Sequence, residues 1–319
     1  MDIKNLFSSE KNFKNKLYKT FIILSLTFIL YSLIIFFIKG FDILYFSKNS
    51  YLLILKCSFL IIPIIFCKII RWRFLCKKVG LKIPLFSDIK TWVGSQAFLA
   101  TPGGAGLGIR SILLKKNFGY PINQTLPIII YERIIELVSV ILIIFILKIS
   151  FFIQINIIIS IAFLIFLVTI FSSSIKFYIS RILFKYLPIS KRSTLEFLNL
   201  FKRFVNLRLN VICILIGICP WLIEGYSLNL IINTIGQYKI SWNDSLFAYL
   251  SSTTLGALSF LPGGLGATEF SIVGLLSLSK IPLEISTTSG ILIRLLTIWL
   301  ATIIGMITLM FPTKTNLNN

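Results

Sequence analysis

Histidine is absent from the chain. That removes imidazole general acid–base chemistry, Ser-His-Asp and Cys-His nucleophile systems, and most catalytic zinc sites. Acidic residues are scarce, 11 Asp and Glu against 32 Lys and Arg, and no Asp-x-Asp or other metal-ligand cluster stands outside the apolar runs. The five cysteines, Cys57, Cys67, Cys76, Cys213 and Cys219, lie in or beside apolar runs without C-x-x-C spacing. Their expected role is packing, with neither a disulfide nor a metal implied. There is no G-x-x-x-x-G-K-[ST] sequence, so ATP binding is rejected. No cofactor and no metal are expected.

What the chain has in abundance is apolar residues. They make up 56% of 319 positions, and mean hydropathy is +0.92. Soluble domains use about 45–50% apolar residues even with glycine counted, so a water-soluble core is excluded. The formal net charge of +21 would point to nucleic acid in a soluble protein. Here the basic residues fill the gaps between apolar runs, which fits positive-inside topology and contact with anionic headgroups; no nucleic-acid partner is expected. Lys4, Lys11, Lys14, Lys16 and Lys19 precede an apolar run too long for a signal-peptide core, so that run is expected to remain as a membrane anchor.

Two stretches inside this apolar territory match each other. Phe98-Leu-Ala-Thr-Pro-Gly-Gly-Ala-Gly106 is followed much later by Phe260-Leu-Pro-Gly-Gly-Leu-Gly266, and the register continues from Ser111 to Ser271 and, with a shift of one, from Arg133 to Arg294. Pro-Gly-Gly ends helices, and broken backbone at membrane depth is tolerated only where protein buries it or where it lines a wet cavity. Pro102, Gly103, Gly104 and Gly106, with Pro262, Gly263, Gly264 and Gly266, therefore read as the tips of two re-entrant helical hairpins. Two tilted spans with Gly-Pro kinks are the alternative.

Apolar runs at residues 17–38, 51–70, 122–147, 151–171, 209–232 and 285–311 have the length of bilayer spans. The N-terminus, the basic stretch after residue 70 and the segment 176–208 carry the lysines and arginines, so they are assigned to the cytoplasm. The chain then reads as one integral membrane domain over 1–319, all-α and polytopic, with about six full spans, two re-entrant hairpins and both termini inside. The unit span–break–span occupies 51–148 and again 209–311, entered from opposite sides. Such an inverted repeat builds midplane sites in many secondary transporters.

A charge near mid-bilayer costs at least about 2.5–3.5 kcal/mol, so each needs a partner or a purpose. Glu132 and Glu136 share one helix face, Arg133 reaches Glu136 at i, i+3, Arg294 holds the matching place later, and Arg110 and Glu269 follow the two breaks. Glu224 stands alone in its run. Two readings remain open for these groups. They form a structural ion-pair network, or they line a polar groove where arginines and half-helix N-termini hold an anionic group such as phosphate and a glutamate tunes charge or carries a proton.

Thr101-Pro-Gly-Gly-Ala-Gly-Leu-Gly-Ile-Arg110, Tyr131-Glu-Arg-Ile-Ile-Glu136, Leu261-Pro-Gly-Gly-Leu-Gly-Ala-Thr-Glu269 and Arg294-Leu-Leu-Thr-Ile-Trp299 together resemble the lysylphosphatidylglycerol synthase transmembrane-domain family, the flippase-like membrane domain of the multiple peptide resistance factor. The resemblance implies a bacterial or archaeal cytoplasmic membrane protein that translocates lipid. The soluble aminoacyl-transferase domain of bifunctional members is not in this sequence, so lysine transfer is not implied. The expected function is a flippase for anionic phospholipid or lipid-linked headgroups, driven by a gradient, with phospholipids or polyprenyl-linked lipids as partners and an oligomer left open. The headgroup groove would use Arg110, Glu132, Arg133, Glu136, Glu269 and Arg294. The alternative is an intramembrane enzyme subunit or a scaffold in lipid or polyprenyl-glycan metabolism.

Overall fold

The computed structural model describes Tyr18, Ile22 and residues 48–101, 105–147, 199–200, 203–204, 206–235 and 238–311. Apart from Tyr18 and Ile22, the expected first and fourth spans lie outside the described residues, as do Pro102, Gly103 and Gly104, expected at a hairpin tip. Among the described residues every element is helical, and no strand is present.

The elements follow from their sequence punctuation. Helices α1 (Lys48–Phe59) and α2 (Ile61–Val79) run nearly continuously, with a break at Leu60 just before Pro63. Gly80 ends α2 in the left-handed conformation at φ 89°, its N–H bonded to the Lys77 carbonyl while Leu81 bonds back to Cys76. Pro84 precedes α3 (Leu85–Ser95), which tightens into a 3-10 turn at Gln96–Phe98. A second 3-10 turn at Ala105–Gly108 leads into α4 (Ile109–Phe118). Pro121 then opens the 26-residue α5 (Ile122–Leu147). The 29-residue α6 (Leu207–Ile235) carries Pro220 inside it. Ser241 caps α7 (Trp242–Leu258): its Oγ accepts the Asp244 N–H at 3.1 Å and donates to the Asp244 carboxylate at 2.7 Å. Helix α8 (Ala267–Leu278) follows the second Pro-Gly-Gly stretch. After Pro282 the chain forms α9 (Leu283–Arg294), a π turn at Leu295–Trp299 and α10 (Leu300–Met310).

Among the described residues, three stretches are long and apolar enough to cross a membrane: Tyr51–Val79, Leu207–Ile235 and Leu283–Met310. Helix α5 has comparable length but carries Glu132, Arg133 and Glu136. The basic stretch expected as a loop after residue 70 is instead the last part of α2. Its residues sort by helical phase, Arg71, Trp72, Leu75 and Cys76 turning inward while Lys77 and Lys78 stay exposed.

Helix α6 lies against α1, α2, α5, α7 and α9, so it is the central post. One apolar cluster joins α1, α5, α6, α7, α8 and α9 through residues such as Cys57, Val140, Leu228, Leu250, Ile272 and Ile293. A second joins α2, α3, α4, α5 and α6 through Trp72, Leu75, Trp92, Leu114, Ile128 and Cys213. Helix α3 and its 3-10 turn pack on α10, while α7 packs on α5. The broken stretch before α5 turns back on itself, because the Tyr120 hydroxyl meets both the Lys82 N–H (2.9 Å) and the Lys82 carbonyl (3.0 Å).

Candidate functional site

Among the described residues, the largest group of buried charges lies where α2, α4 and α5 meet. Glu132 is wholly buried on α5. One of its oxygens accepts from Arg110 Nη1 at 2.7 Å and the other from Arg71 Nη2 at 3.5 Å. Arg71 also donates to Glu136, one turn further along α5. Arg133 closes the group: its Nη1 is 2.6 Å from Glu136 Oε2 and its Nη2 is 3.9 Å from Glu132 Oε2.

Local sequence sets this geometry. Glu132 and Glu136 are separated by one helical turn and so present both carboxylates to Arg71 on the neighbouring helix. Arg110 is the second residue of α4, directly after the first break, which aims it back at α3 and α5. Its Nε donates to Ser95 Oγ at 3.1 Å, and its guanidinium lies 4.4 Å from the Trp72 ring centre and 5.2 Å from that of Trp92. A flat, weakly hydrated guanidinium between indole faces gains cation–π attraction where an ammonium would be desolvated at greater cost. Trp72 is held in turn by its Nε1–H to Asp88 (2.8 Å), and Asp88 accepts from Arg73 at 3.0 Å. Gly217 of α6 makes room beside Arg71, because a Cβ there would lie 3.0 Å from Arg71 Nη1 and 2.7 Å from Ser139 Oγ.

Among the described residues, three guanidinium groups of this cluster face two carboxylates, one positive charge in excess. Exposure is uneven. The side chains of Arg71 and Arg110 are 1% and 0% exposed, whereas that of Arg133 is 35% exposed. Among the described residues, three donors of this group have no partner, Arg71 Nε, Arg110 Nη2 and Arg133 Nε. The surplus charge therefore meets the outside at Arg133.

The second break carries a smaller group. Arg294, 2% exposed, donates through Nε to Glu269 Oε1 at 2.9 Å and through Nη2 to the carbonyl of Gly263. An arginine from the end of α9 thereby clamps the loop that contains the Pro-Gly-Gly stretch. The loop itself needs glycine: Gly263, Gly264 and Gly266 have φ of 61°, 68° and 77°. Gly263 also lies against the first stretch, where a Cβ would sit 3.5 Å from Ala100 Cα.

Of the six residues expected in a groove, the structure gathers Arg110, Glu132, Arg133 and Glu136 into one ion-pair group and joins Glu269 with Arg294 in another. Glu224, read as standing alone, is instead paired. Its carboxylate accepts from Lys68 Nζ at 3.1 Å and from the Tyr249 hydroxyl at 3.0 Å, because α6 lies between α2 and α7. Lys68, Arg71, Trp72, Asp88 and Trp92 are the members that the sequence reading missed. The signal for the first two was their i, i+3 spacing, which puts them on one face of a helix that continues past residue 70. Among the described residues no group of His, Cys, Asp and Glu could hold a metal ion.

The chain is 31% identical over 99 residues to a UPF0104 membrane protein of Methanothermobacter thermautotrophicus. That match covers 31% of this chain and 29% of the archaeal protein. The profile of the lysylphosphatidylglycerol synthase TM region matches residues 22–305, and the chain belongs to that family of membrane proteins.

Proposed function

We propose that the protein is a lipid translocase that carries anionic, phosphate-bearing headgroups between leaflets while acyl chains stay in the bilayer. One observation carries this reading: a buried ion-pair group with a surplus guanidinium charge reaches the outside at a partly exposed Arg133. A purely structural network has no need of a third arginine, and a surplus positive charge at a partly exposed guanidinium favours an arriving anion. A phosphodiester matches the planar guanidinium donor pattern and supplies the missing negative charge.

The architecture in the membrane is part of the proposal. Helices α3 and α4, of 11 and 10 residues, reach roughly 15–17 Å each, about half of the hydrocarbon thickness. With α7 and α8 they form two re-entrant hairpins, and the units 51–148 and 209–311 form the inverted repeat. The reciprocal packing of α3 on α10 and of α7 on α5 supports it. In this arrangement the protein crosses the cytoplasmic membrane about six times with both termini inside. Arg133 and Arg294 serve the two halves of one path, with Glu269 as the counter-charge at the second station. Phospholipids or polyprenyl-linked lipids are the partners.

The test is headgroup accessibility in liposomes containing the purified protein. Fluorescent phosphatidylglycerol is bleached from outside by a membrane-impermeant reductant. Wild type should expose the inner-leaflet pool, and Arg133→Ala should slow this at least about tenfold, the equivalent of roughly 1.4 kcal/mol, without changing the melting temperature by more than a few degrees. An inner pool that stays protected with wild type, across anionic lipids and under an imposed proton gradient, overturns the reading.

A further inference from the structure

The ion pairs among the described residues differ in their balance. Lys68 with Glu224, Arg73 with Asp88 and Arg294 with Glu269 each set one cation against one acid. The group at α2, α4 and α5 is the unbalanced one among the described residues, and its surplus is a single positive charge. Arg133 presents that surplus along one edge. Its Nη1 is 2.6 Å from Glu136, its Nη2 lies 3.9 Å from Glu132 Oε2, beyond hydrogen-bond distance, and its buried Nε has no partner. The Nε–Nη2 edge of a guanidinium carries two parallel N–H groups, spaced for two oxygens on one phosphorus. Arg294 differs, since its Nε donates to Glu269 and its Nη2 to the Gly263 carbonyl.

We propose that this site selects headgroups with a single negative charge, phosphodiesters, over phosphomonoesters and diphosphates; this rests on the translocase reading above and narrows its substrate class. A phosphodiester has two non-bridging oxygens that share one charge, and the Arg133 edge has one N–H for each. A phosphomonoester at neutral pH carries close to two charges over three oxygens. Its extra charge finds no free cation, because the side chains nearest that edge are the acids Glu132 and Glu136. Attraction to one surplus charge grows in proportion to the ligand's charge, whereas the cost of stripping its water grows with the square. One negative charge against one positive charge is therefore the best-matched state. A dianion would leave the loaded group one charge negative at membrane depth, which the bilayer disfavours.

The rest of the group is fixed, so it does not supply a second cation. Arg71 is shared between Glu132 and Glu136. Arg110 is held by Glu132, by Ser95 and by the rings of Trp72 and Trp92. Glu136 thereby sets the charge count at the partly exposed end and acts as a specificity-determining residue: without its charge the surplus would be two, and a dianion would become the matched ligand. Two lipid classes share the phosphodiester chemistry, glycerophospholipids with an esterified headgroup and polyprenyl phosphates esterified to a sugar. Phosphatidic acid and polyprenyl diphosphates fall on the other side of the distinction.

The experiment measures calorimetric binding of dihexanoyl phosphatidylglycerol and dihexanoyl phosphatidic acid to the detergent-purified protein in acidic and in mildly alkaline buffer. A phosphomonoester's second ionisation falls near about pH 6, so phosphatidic acid passes from one charge to two between these conditions while phosphatidylglycerol keeps one. Wild type should bind the two lipids alike in acid. In alkaline buffer phosphatidic acid should bind at least about tenfold more weakly than phosphatidylglycerol, whose own affinity should change by less than about threefold. Glu136→Gln should bind alkaline phosphatidic acid at least as tightly as phosphatidylglycerol; where that variant does not fold, wild type decides alone. Farnesyl phosphate esterified to glucose, set against farnesyl diphosphate, repeats the comparison on an isoprenoid, and the tighter phosphodiester identifies the lipid class. A dianion bound as tightly as the phosphodiester of the same carrier, or a preference unchanged in folded Glu136→Gln, overturns the proposal. Absence of binding by either phosphodiester overturns the headgroup reading itself, a result distinct from binding without charge preference.

Discussion

Gly263 of the second broken stretch packs directly on Ala100 of the first, with a Cβ position 3.5 Å from both Ala100 Cα and Ala100 Cβ. The two repeated motifs are therefore in contact across the molecule, and the contact involves a residue whose φ of 61° disfavours any side chain. Gly263→Ala should destabilise the protein by about 1–2 kcal/mol, the cost of a left-handed non-glycine residue. Gly274→Ala, in a helix with open space around it, should be neutral or slightly stabilising. Thermal unfolding in detergent compares the two, and equal melting temperatures would show that the loop adjusts freely.

The first broken stretch is held to α10 by another close approach. A Cβ on Gly305 would lie 2.3 Å from the Ala97 backbone nitrogen and 2.9 Å from the Val93 carbonyl oxygen, backbone atoms that cannot rotate away. Gly305→Leu should cost about 1–3 kcal/mol through overpacking. It should also separate α3 from α10, which a disulfide crosslink between engineered cysteines at Val93 and Leu309 would report as a loss of yield.

Arg110 and Glu132 are both fully buried, so removing either one alone leaves the other without its closest counter-charge. Arg110→Met should destabilise by about 3–5 kcal/mol. Adding Glu132→Gln should recover part of that loss, since Arg71 keeps Glu136. A double-mutant cycle on unfolding midpoints measures the coupling. Strict additivity would mean that the 2.7 Å contact contributes nothing specific.

These residues also show what a sequence can and cannot reveal. Helix α5 was legible over its whole length, residues 122–147, because Pro121 opens it and an unbroken apolar run carries only three charges. The pairing of Glu136 with Arg133 followed from i, i+3 spacing. Arg71 was hidden by its company: among Lys68, Arg73, Lys77 and Lys78 it reads as one more cytoplasmic charge, and only helical phase distinguishes its buried face. The Arg110–Glu132 and Lys68–Glu224 pairs join helices distant in sequence. No local pattern encodes them, because packing of α2, α4, α5, α6 and α7 brings them together.

The re-entrant reading makes a prediction about sidedness. Tyr120, just after α4, bonds to the backbone of Lys82, just before α3, so the first broken stretch starts and finishes at one place. If that stretch is a hairpin dipping into the bilayer, cysteines replacing the exposed Lys82 and Lys116 should both react from the cytoplasmic side with a membrane-impermeant maleimide. Exposed Lys239 and Lys280 flank the second stretch, and on the inverted-repeat reading cysteines there should both react from the outer side. Labelling of right-side-out and inside-out vesicles separates the cases. If each stretch were a kinked full span, the members of each pair would react from opposite faces; if the repeat were parallel, all four positions would react from one face. Two pairs, each internally alike and opposite to one another, is the pattern that an inverted repeat of re-entrant hairpins requires.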